Sequence, residues 1–476
     1  MTALRRVLSL VVCWAALGMS PAVGAERPNV LLFLVDDLGW MDLGCQGSDY
    51  YKTPNIDDLA ESGIRFTNAY AACAVCSPTR AAILTGRYPA RLMLTQWLPA
   101  GRWSATGNRM KEGRFLRSLP LEEVTLAEAL RVEGYKTFHV GKWHLGGEPF
   151  SMPRHHGFDK NVGGDDHGAP GSFFFPFRGE WTIPTTTESV AKQAFEGGQE
   201  GDFLTDLLAE EAGRLIRSAG ASPFFLYLPF YGVHAPLEGK KDKVERYAAV
   251  PKSERQGNPK YAAMVESIDD AVGHVMGVLE EIGEKDNTLI VFTSDNGGLA
   301  RATNHEPLRA NKGSHYEGGI RVPLIMAGAG IEPVAPDGVD LPVISCDLYP
   351  TILALTQSPV RESDGLNLGP LLTGVGDTSM PADRPLFWHY PHYNQHPSSA
   401  PISIIRRGPW KLIEFLESGE MELYHLGEDL GESRDLSVEK PHLTAQLFKQ
   451  LAAWKEEVGA DPMKPNPQYE GKESDE

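Results

Sequence analysis

Apolar positions in this chain come in short unbroken runs that stop at polar residues. The run ending in Val30-Leu31-Leu32-Phe33-Leu34-Val35 halts at Asp36-Asp37. With no polar alternation, it predicts a strand buried on both faces of a largely parallel sheet. Thr137 to Val140 before Gly141, Pro223 to Phe230, and Thr288 to Thr293 before Ser294-Asp295-Asn296 repeat the pattern. Thr53-Pro54-Asn55 opens a short helix that Gly63 closes, Ile64 to Tyr70 is extended, and Arg80 to Leu84 reads as the first turns of another helix. Tyr261 to Ile282 carries apolar residues at helical spacing. Strands alternating with helices predict a wound α/β sheet. Ligands of such sheets gather beyond the carboxyl ends of the strands. Asp36, Asp37, His234, Asp295 and Asn296 all fall there.

The stretch from Leu92 to about Ala191 is rich in Gly, Pro, Trp and Phe with little periodicity, and predicts long loops over the active face of the sheet. From about Arg384 the pattern changes to short runs at Leu386 to Tyr390, Ile402 to Arg406, Lys411 to Phe415 and Met421 to Tyr424, then a helical stretch over Leu443 to Glu457. These predict a small antiparallel sheet with a helix, followed by an acidic tail over Glu470 to Glu476. At the other end, Arg5-Arg6, the apolar Val7 to Met19 and the small residues Val23-Gly24-Ala25 have the form of a secretory signal cut after Ala25. That apolar run is shorter than the roughly 20 residues a bilayer needs, and no later run is long enough. The expected organisation is a signal peptide over 1–25, a catalytic domain over 26–383 and a C-terminal subdomain over 384–476.

Composition narrows the class. A chain of 476 residues, 42% hydrophobic, has ample material for a core. A formal charge of −18 excludes general nucleic-acid binding, which depends on Lys and Arg neutralising phosphates. Five cysteines, one of them Cys13 in the signal, are too few for a disulfide scaffold, and at most one pair is left once Cys76 is set aside. Cys73 and Cys76 form a C-x-x-C, but a redox pair calls for a thioredoxin-like βαβ setting. No Asn-x-Ser/Thr sequon occurs, which favours an exported bacterial protein, periplasmic or secreted.

Asp36, Asp37, Asp295 and Asn296 are hard oxygen donors from two strand ends, a set suited to Ca²⁺ more than to Mg²⁺, which prefers to keep several waters. Each pair alone also reads as a turn. What joins them is the run Cys76-Ser77-Pro78-Thr79-Arg80-Ala81-Ala82-Ile83-Leu84-Thr85-Gly86-Arg87. It resembles the signature of the type I sulfatases, with Thr79 where Ser is usual. Arg27-Pro28-Asn29-Val30, Gly141-Lys142-Trp143-His144-Leu145-Gly146, Ser294-Asp295-Asn296-Gly297, Lys312-Gly313, Glu317-Gly318-Gly319-Ile320-Arg321-Val322-Pro323 and Glu422-Leu423-Tyr424-His425-Leu426 extend the resemblance in family order.

The resemblance implies an alkaline-phosphatase-like α/β/α sandwich with a smaller C-terminal antiparallel sheet, and sulfate ester hydrolysis. It implies that Cys76 is oxidised to formylglycine by a maturation enzyme and that position 76 joins Asp36, Asp37, Asp295 and Asn296 around Ca²⁺. Arg80 and Lys142 would hold the hydrate and sulfate oxygens, and Asp295 would accept the nucleophile's proton. His144 would help release sulfate, while His234 and Lys312 would serve as leaving-group acid and sulfate clamp. Asp166, His167, His305 and Arg309 lie in polar loop stretches and are the expected substrate-binding residues for a sulfated carbohydrate or an aryl sulfate. Trp97, Trp103 and Phe173 to Phe175 are candidates for stacking on sugar faces. The competing readings are a phosphatase or phosphodiesterase of the same superfamily and a non-catalytic binder of sulfated glycans.

Overall fold

The computed structural model describes residues 27–99, 103–178, 195, 198–333, 338–376 and 378–470. The expected signal peptide, part of the 92–191 stretch and most of the acidic tail lie outside them. Seven strands form the central sheet: β1 Asn29–Val35, β2 Gly63–Phe66, β3 Lys136–Val140, β4 Lys160–Val162, β5 Phe224–Pro229, β6 Thr288–Ser294 and β7 Leu324–Ala327. Their order across the sheet is β2-β7-β6-β1-β5-β3-β4. The run β6-β1-β5-β3-β4 is parallel, and β7 and β2 close one edge with antiparallel pairings. The sheet is mixed, with a parallel core.

β1 shows why an unbroken apolar run belongs at the centre. Leu31, Phe33 and Val35 enter one apolar layer and Val30, Leu32 and Leu34 the other, all fully buried. Each such side chain contributes about 1.5–3 kcal/mol relative to exposure. The first layer is completed by α1 (Pro54–Glu61), α4 (Leu204–Ala219) and α5 (Pro259–Glu281). The second is completed by α2 (Cys76–Thr85), α3 (Leu126–Val132) and α6 (Leu348–Leu355). The result is an α/β/α sandwich.

A four-stranded antiparallel sheet follows: β8 Pro385–Tyr390, β9 Ile402–Arg407, β10 Trp410–Phe415 and β11 Met421–His425, in chain order. With α7 (Pro441–Glu457) it builds a third apolar cluster that includes Tyr70, Val75 and Tyr88 of the large unit. At its heart is a buried ionic knot. Lys411 pairs with Glu317 at 3.0 Å and Glu432 at 2.7 Å, all three with no exposed side-chain surface. Glu317 also meets Arg321 at 3.3 Å.

Two departures from the expected elements have local causes. α2 begins at Cys76, one turn before Arg80, although Pro78 lies inside its first turn; a proline near a helix start removes only an N–H that has no helical partner anyway. α3 lies inside the stretch read as loop. It is opened by a capping box in which Thr125 accepts from the Glu128 N–H and Glu128 accepts from the Thr125 N–H.

Candidate active site

β6, β1, β5 and β3 are neighbours and run the same way, so the residues after their carboxyl ends converge on one spot. Asp36-Asp37 follow β1, Lys142 and His144 follow β3, His234 follows β5, and Asp295-Asn296 follow β6. α2 brings Cys76 in from the side, with every residue of the helix buried. One ligand atom each from Asp36, Asp37, Cys76 and Asp295 lies within 4.8 Å of all the others. The amino end of α2, which favours anions, faces this cluster.

The turns that make the convergence are tight. A Cβ on Gly141 would lie 2.0 Å from the Pro229 carbonyl oxygen, and one on Gly297 1.9 Å from that of Gly318. Only glycine fits either place. Asp37 and His144 hold positive φ, 64° and 58°, a conformation non-glycine residues seldom adopt and one that clusters at functional sites. The Asp37 turn is held by its N–H donating to Asp295 Oδ1 (3.3 Å) and by its carbonyl accepting from Tyr261 OH (3.1 Å).

The charges pair off. Arg80 donates through Nε and Nη2 to Asp295 Oδ2 at 2.9 and 2.7 Å and through Nη1 to the Lys142 carbonyl at 3.0 Å. Lys142 Nζ meets Asp36 at 2.5 Å. Lys312 Nζ meets Asp37 at 2.6 Å and lies 3.6 Å from Cys76 Sγ. Three carboxylates thus face three cations, so the charge of a divalent metal is left to be met by the anionic sulfate group and the charge that develops on it. Burial pushes the Asp36 carboxyl up to about 7, Lys142 opposing. Burial acts the same way on Asp37, but Lys312 and then His234 outweigh it and hold that carboxyl well below the usual range. Burial first, and the Asp36 charge next, push the Cys76 thiol far up, so the unmodified thiol is not a thiolate nucleophile.

The donor set fits a hard cation. Asn296 donates through Nδ2 to Asp37 Oδ1 (2.8 Å) and the Gly297 carbonyl (3.0 Å). Its buried Oδ1 has no hydrogen-bond partner among the described residues. A buried acceptor left so costs about 1–3 kcal/mol, and a cation among the three carboxylates satisfies it. Oxygen donors in this number suit Ca²⁺.

The signature run also aims the other groups. Thr79 Oγ1 accepts from the Cys73 N–H and donates to the Cys73 carbonyl, both at 3.1 Å; either hydroxyl residue serves there, which explains why Thr replaces Ser. Ser77 Oγ accepts from the Leu98 N–H at 3.2 Å, and the Leu98 carbonyl contacts His144 Nε2 at 2.5 Å. Nε2 therefore carries the proton, and the buried Nδ1 has no hydrogen-bond partner among the described residues. Burial, then the Lys142 charge, hold the His144 ring neutral. His234 Nδ1 contacts the Ala235 carbonyl (2.6 Å), and Nε2 lies 3.8 Å from Asp37 Oδ2. Cys45, Cys73, Cys76 and Cys346 are all free thiols.

The substrate-reading candidates divide. His167 Nδ1 sits 2.9 Å from the exposed Asp166 and 3.1 Å from Asp165. Their loop packs on the site, since a Cβ on Gly168 would lie 2.6 Å from His144 Cε1 and the Asp165 carbonyl accepts from the His144 N–H. His305 is half-buried beside Gly298, whose carbonyl accepts from the Lys312 N–H at 3.0 Å. Arg309 contacts the small sheet. Its guanidinium stacks 3.8 Å over the Tyr316 ring and donates to Tyr424 OH and the Glu432 carbonyl at 2.9 and 2.8 Å, so it ties the Lys312 loop to the small sheet. Among the aromatic candidates, Phe173 is core, stacked on Phe203, and Trp103 Nε1 donates to the Met110 carbonyl; Trp97 and Phe174–Phe175 remain half-buried.

One group escaped the sequence reading. The connection between β8 and β9 reaches the site, where Asn394 Nδ2 donates to the Gly313 carbonyl at 3.0 Å. His396 Cβ lies 2.5 Å from where a Cβ on Gly313 would stand. Burial first, then the Lys312 charge, push the His396 ring down to about 4. The signal was His389-Tyr390-Pro391-His392-Tyr393-Asn394-Gln395-His396, too polar and too long for a plain hairpin turn.

A family model described as Sulfatase matches residues 28–358. A sulfatase of Formosa agariphila is 32% identical over 90% of this chain and 89% of its own length. N-acetylgalactosamine-6-sulfatase of Homo sapiens is 34% identical over 78% of this chain and 70% of its own. Among solved structures, Ps i-CgsB in complex with k-i-k-neocarrahexaose is similar with a TM-score of 0.73 at 30% identity, over 94% of this chain and 96% of that one.

Proposed function

The chain belongs to the sulfatase family of the alkaline-phosphatase superfamily and is a sulfuric ester hydrolase, and from that premise we propose that it removes sulfate from a carbohydrate, using an oxidised Cys76 and a calcium ion. The observation that carries this reading is the position of Cys76 Sγ, within 4.8 Å of three carboxylates and 3.6 Å from Lys312 Nζ. The carbohydrate class is supported by the relatives, one named for N-acetylgalactosamine 6-sulfate and one in complex with k-i-k-neocarrahexaose.

Position 76 as formylglycine hydrate would supply an oxygen nucleophile that a second hydroxyl on the same carbon later helps to release. Asp36, Asp37, Asp295 and Asn296 would hold Ca²⁺, which supplies Lewis acidity toward a sulfate oxygen. Around them the chain's own groups divide the work. Lys142 and Lys312 point charged donors at the pocket and stabilise oxygen charge that grows in the transition state. Arg80 fixes Asp295 through two donors, keeping that carboxylate oriented to accept the proton of an attacking hydroxyl. His144 Nδ1 offers a second proton acceptor. His234 is placed to donate to the departing sugar oxygen once it carries a second proton: burial and then the Lys312 charge push its ring down to about 3 in the empty pocket, and the negative charge of the monoanionic sulfate ester beside it raises its proton affinity. Asp166, His167, His305 and His396 would read the sugar, since their loops pack against His144, Gly298 and Gly313 of the site. Residues 1–25 support export, with an oxidising maturation enzyme converting Cys76.

The test is sulfate release, read by ion chromatography, from a panel of sulfated mono- and oligosaccharides, with the corresponding phosphate esters alongside. Release from at least one sulfated sugar, abolished in Cys76→Ala and by chelation, is the expected result. Turnover of phosphate esters with none of sulfate esters contradicts it.

A further inference from the structure

An open, shallow depression of about 480 Å³ is lined by Lys252, Arg255, Gln256, Asn258, Arg301 and Asn304 among others. Among the described residues no acidic side chain lines it, although the chain as a whole carries a formal charge of −18. Lys252 and Arg301 have no carboxylate partner among the described residues, whereas Arg255 is fixed by the Val250 and Ala248 carbonyls at 2.7 and 2.5 Å.

The floor of the depression is a built platform. Gly257 bridges Thr303 in antiparallel fashion, the Asn258 N–H donates to the Ala302 carbonyl (2.7 Å), and the Asn304 N–H donates to that of Gln256 (2.9 Å). Thr303 Oγ1 and Gln256 Nε2 both donate to the buried Asp42, at 2.6 and 3.2 Å, and Tyr51 OH donates to Thr303 at 2.8 Å. The same loop runs on to His305 and Lys312. A Cβ on Gly298, whose carbonyl accepts from the Lys312 N–H, would lie 2.9 Å from Thr303 Cγ2, so the floor of the depression abuts the loop that carries Lys312.

We propose that this depression is a second anion subsite, taking a sulfate or carboxylate on a neighbouring sugar of the chain whose ester is hydrolysed. The substrate is then a multiply charged oligosaccharide, not a monosulfated sugar. This rests on the sulfated-carbohydrate reading of the site. The physical need is plain, because a polyanion approaching an acidic protein meets repulsion that only a local basic surface reverses, within a Debye length of about 10 Å.

Binding, not turnover, is the readout, so that failure of the hydrolytic reading leaves this test intact. In a Cys76→Ala background, two fluorescein-labelled probes are compared by anisotropy: N-acetylgalactosamine 6-sulfate and a multiply sulfated galacto-hexasaccharide. We expect the hexasaccharide to bind at least about 10-fold tighter, and Lys252→Ser with Arg301→Ser to remove most of that advantage and flatten its salt dependence. Monosaccharide affinity and thermal stability should not change. A charge-reversing pair, Lys252→Glu with Arg301→Glu, should remove the advantage completely. An advantage that survives both pairs, or its absence from the start, overturns the proposal. So does equal loss for an oligothymidylate of matched charge, which would mark a general cationic patch.

Discussion

At the scale of single residues, the site rests on polar atoms that the fold buries and leaves one partner short. Asn296 is the sharpest case, with Nδ2 committed to Asp37 and Gly297 and Oδ1 bare. Asn296→Ala should raise the calcium concentration needed for half-maximal thermal stabilisation by about 10-fold or more, since one ligand of a hard cation is lost. A calcium titration followed by thermal unfolding checks it, and an unchanged midpoint would remove Asn296 from the metal set. Asp36, Asp37, Asp295 and Asn296 were legible in the sequence because each follows an unbroken apolar run. The partners of Arg309 were not legible, because a positive charge in a loop does not reveal its neighbours. Tyr316, Tyr424 and Glu432 come from up to 123 residues away.

At the scale of elements, strands that end in carboxylates were readable from the pattern alone, and β1 runs over the residues expected of it. The loop contributions were not, because what they touch is decided by tertiary contacts. The β8–β9 connection shows this, since Asn394 and His396 reach Gly313 from a different sheet. His396→Ala should therefore lower kcat/KM on a sulfated sugar by about 10- to 100-fold while costing little on a small aryl sulfate, which lacks the ring hydroxyls. Equal losses on both substrates would make His396 part of the scaffold or the sulfate clamp. α3 was hidden for another reason. Its seven residues are too few for a helical period to stand out, and only the Thr125–Glu128 capping box marked it.

At the scale of the whole molecule, buried neutral histidines govern the response to acid. Burial pushes His139 and His315 down to about 3 and His156 and His389 to about 4. Their stability contribution is fully present above the unfolded value of 6.5 and is lost as pH falls toward these folded values, because only the unfolded chain takes up the proton. Burial raises Asp42 and Asp269 to about 6 and Glu432 to about 7, which works in the opposite sense. Asp36, raised to about 7, joins these acids, while His234, His305 and His396, lowered to about 3, 4 and 4, join the histidines, so seven histidines stand against four acids and each group contributes about 1.4 kcal/mol per pH unit within its window. Tm should accordingly fall between pH 7 and pH 5, and a Tm that stays level or rises over that range would show that these rings are protonated in the folded protein. None of this was legible in the sequence, where a histidine's burial is invisible. The division into a large wound sheet and a small antiparallel sheet was legible, because the length and polarity of the apolar runs change near Arg384.

The claim on which the rest depends is that residue 76 acts as an aldehyde and not as a thiol. Mass spectrometry of the tryptic peptide from Phe66 to Arg80, taken from active enzyme purified with its maturation enzyme present, reads this directly. The account predicts a peptide lighter than the encoded one by the difference between CH₂SH and CHO, in proportion to specific activity across preparations. Full activity in protein whose Cys76 is entirely an unmodified thiol would contradict it.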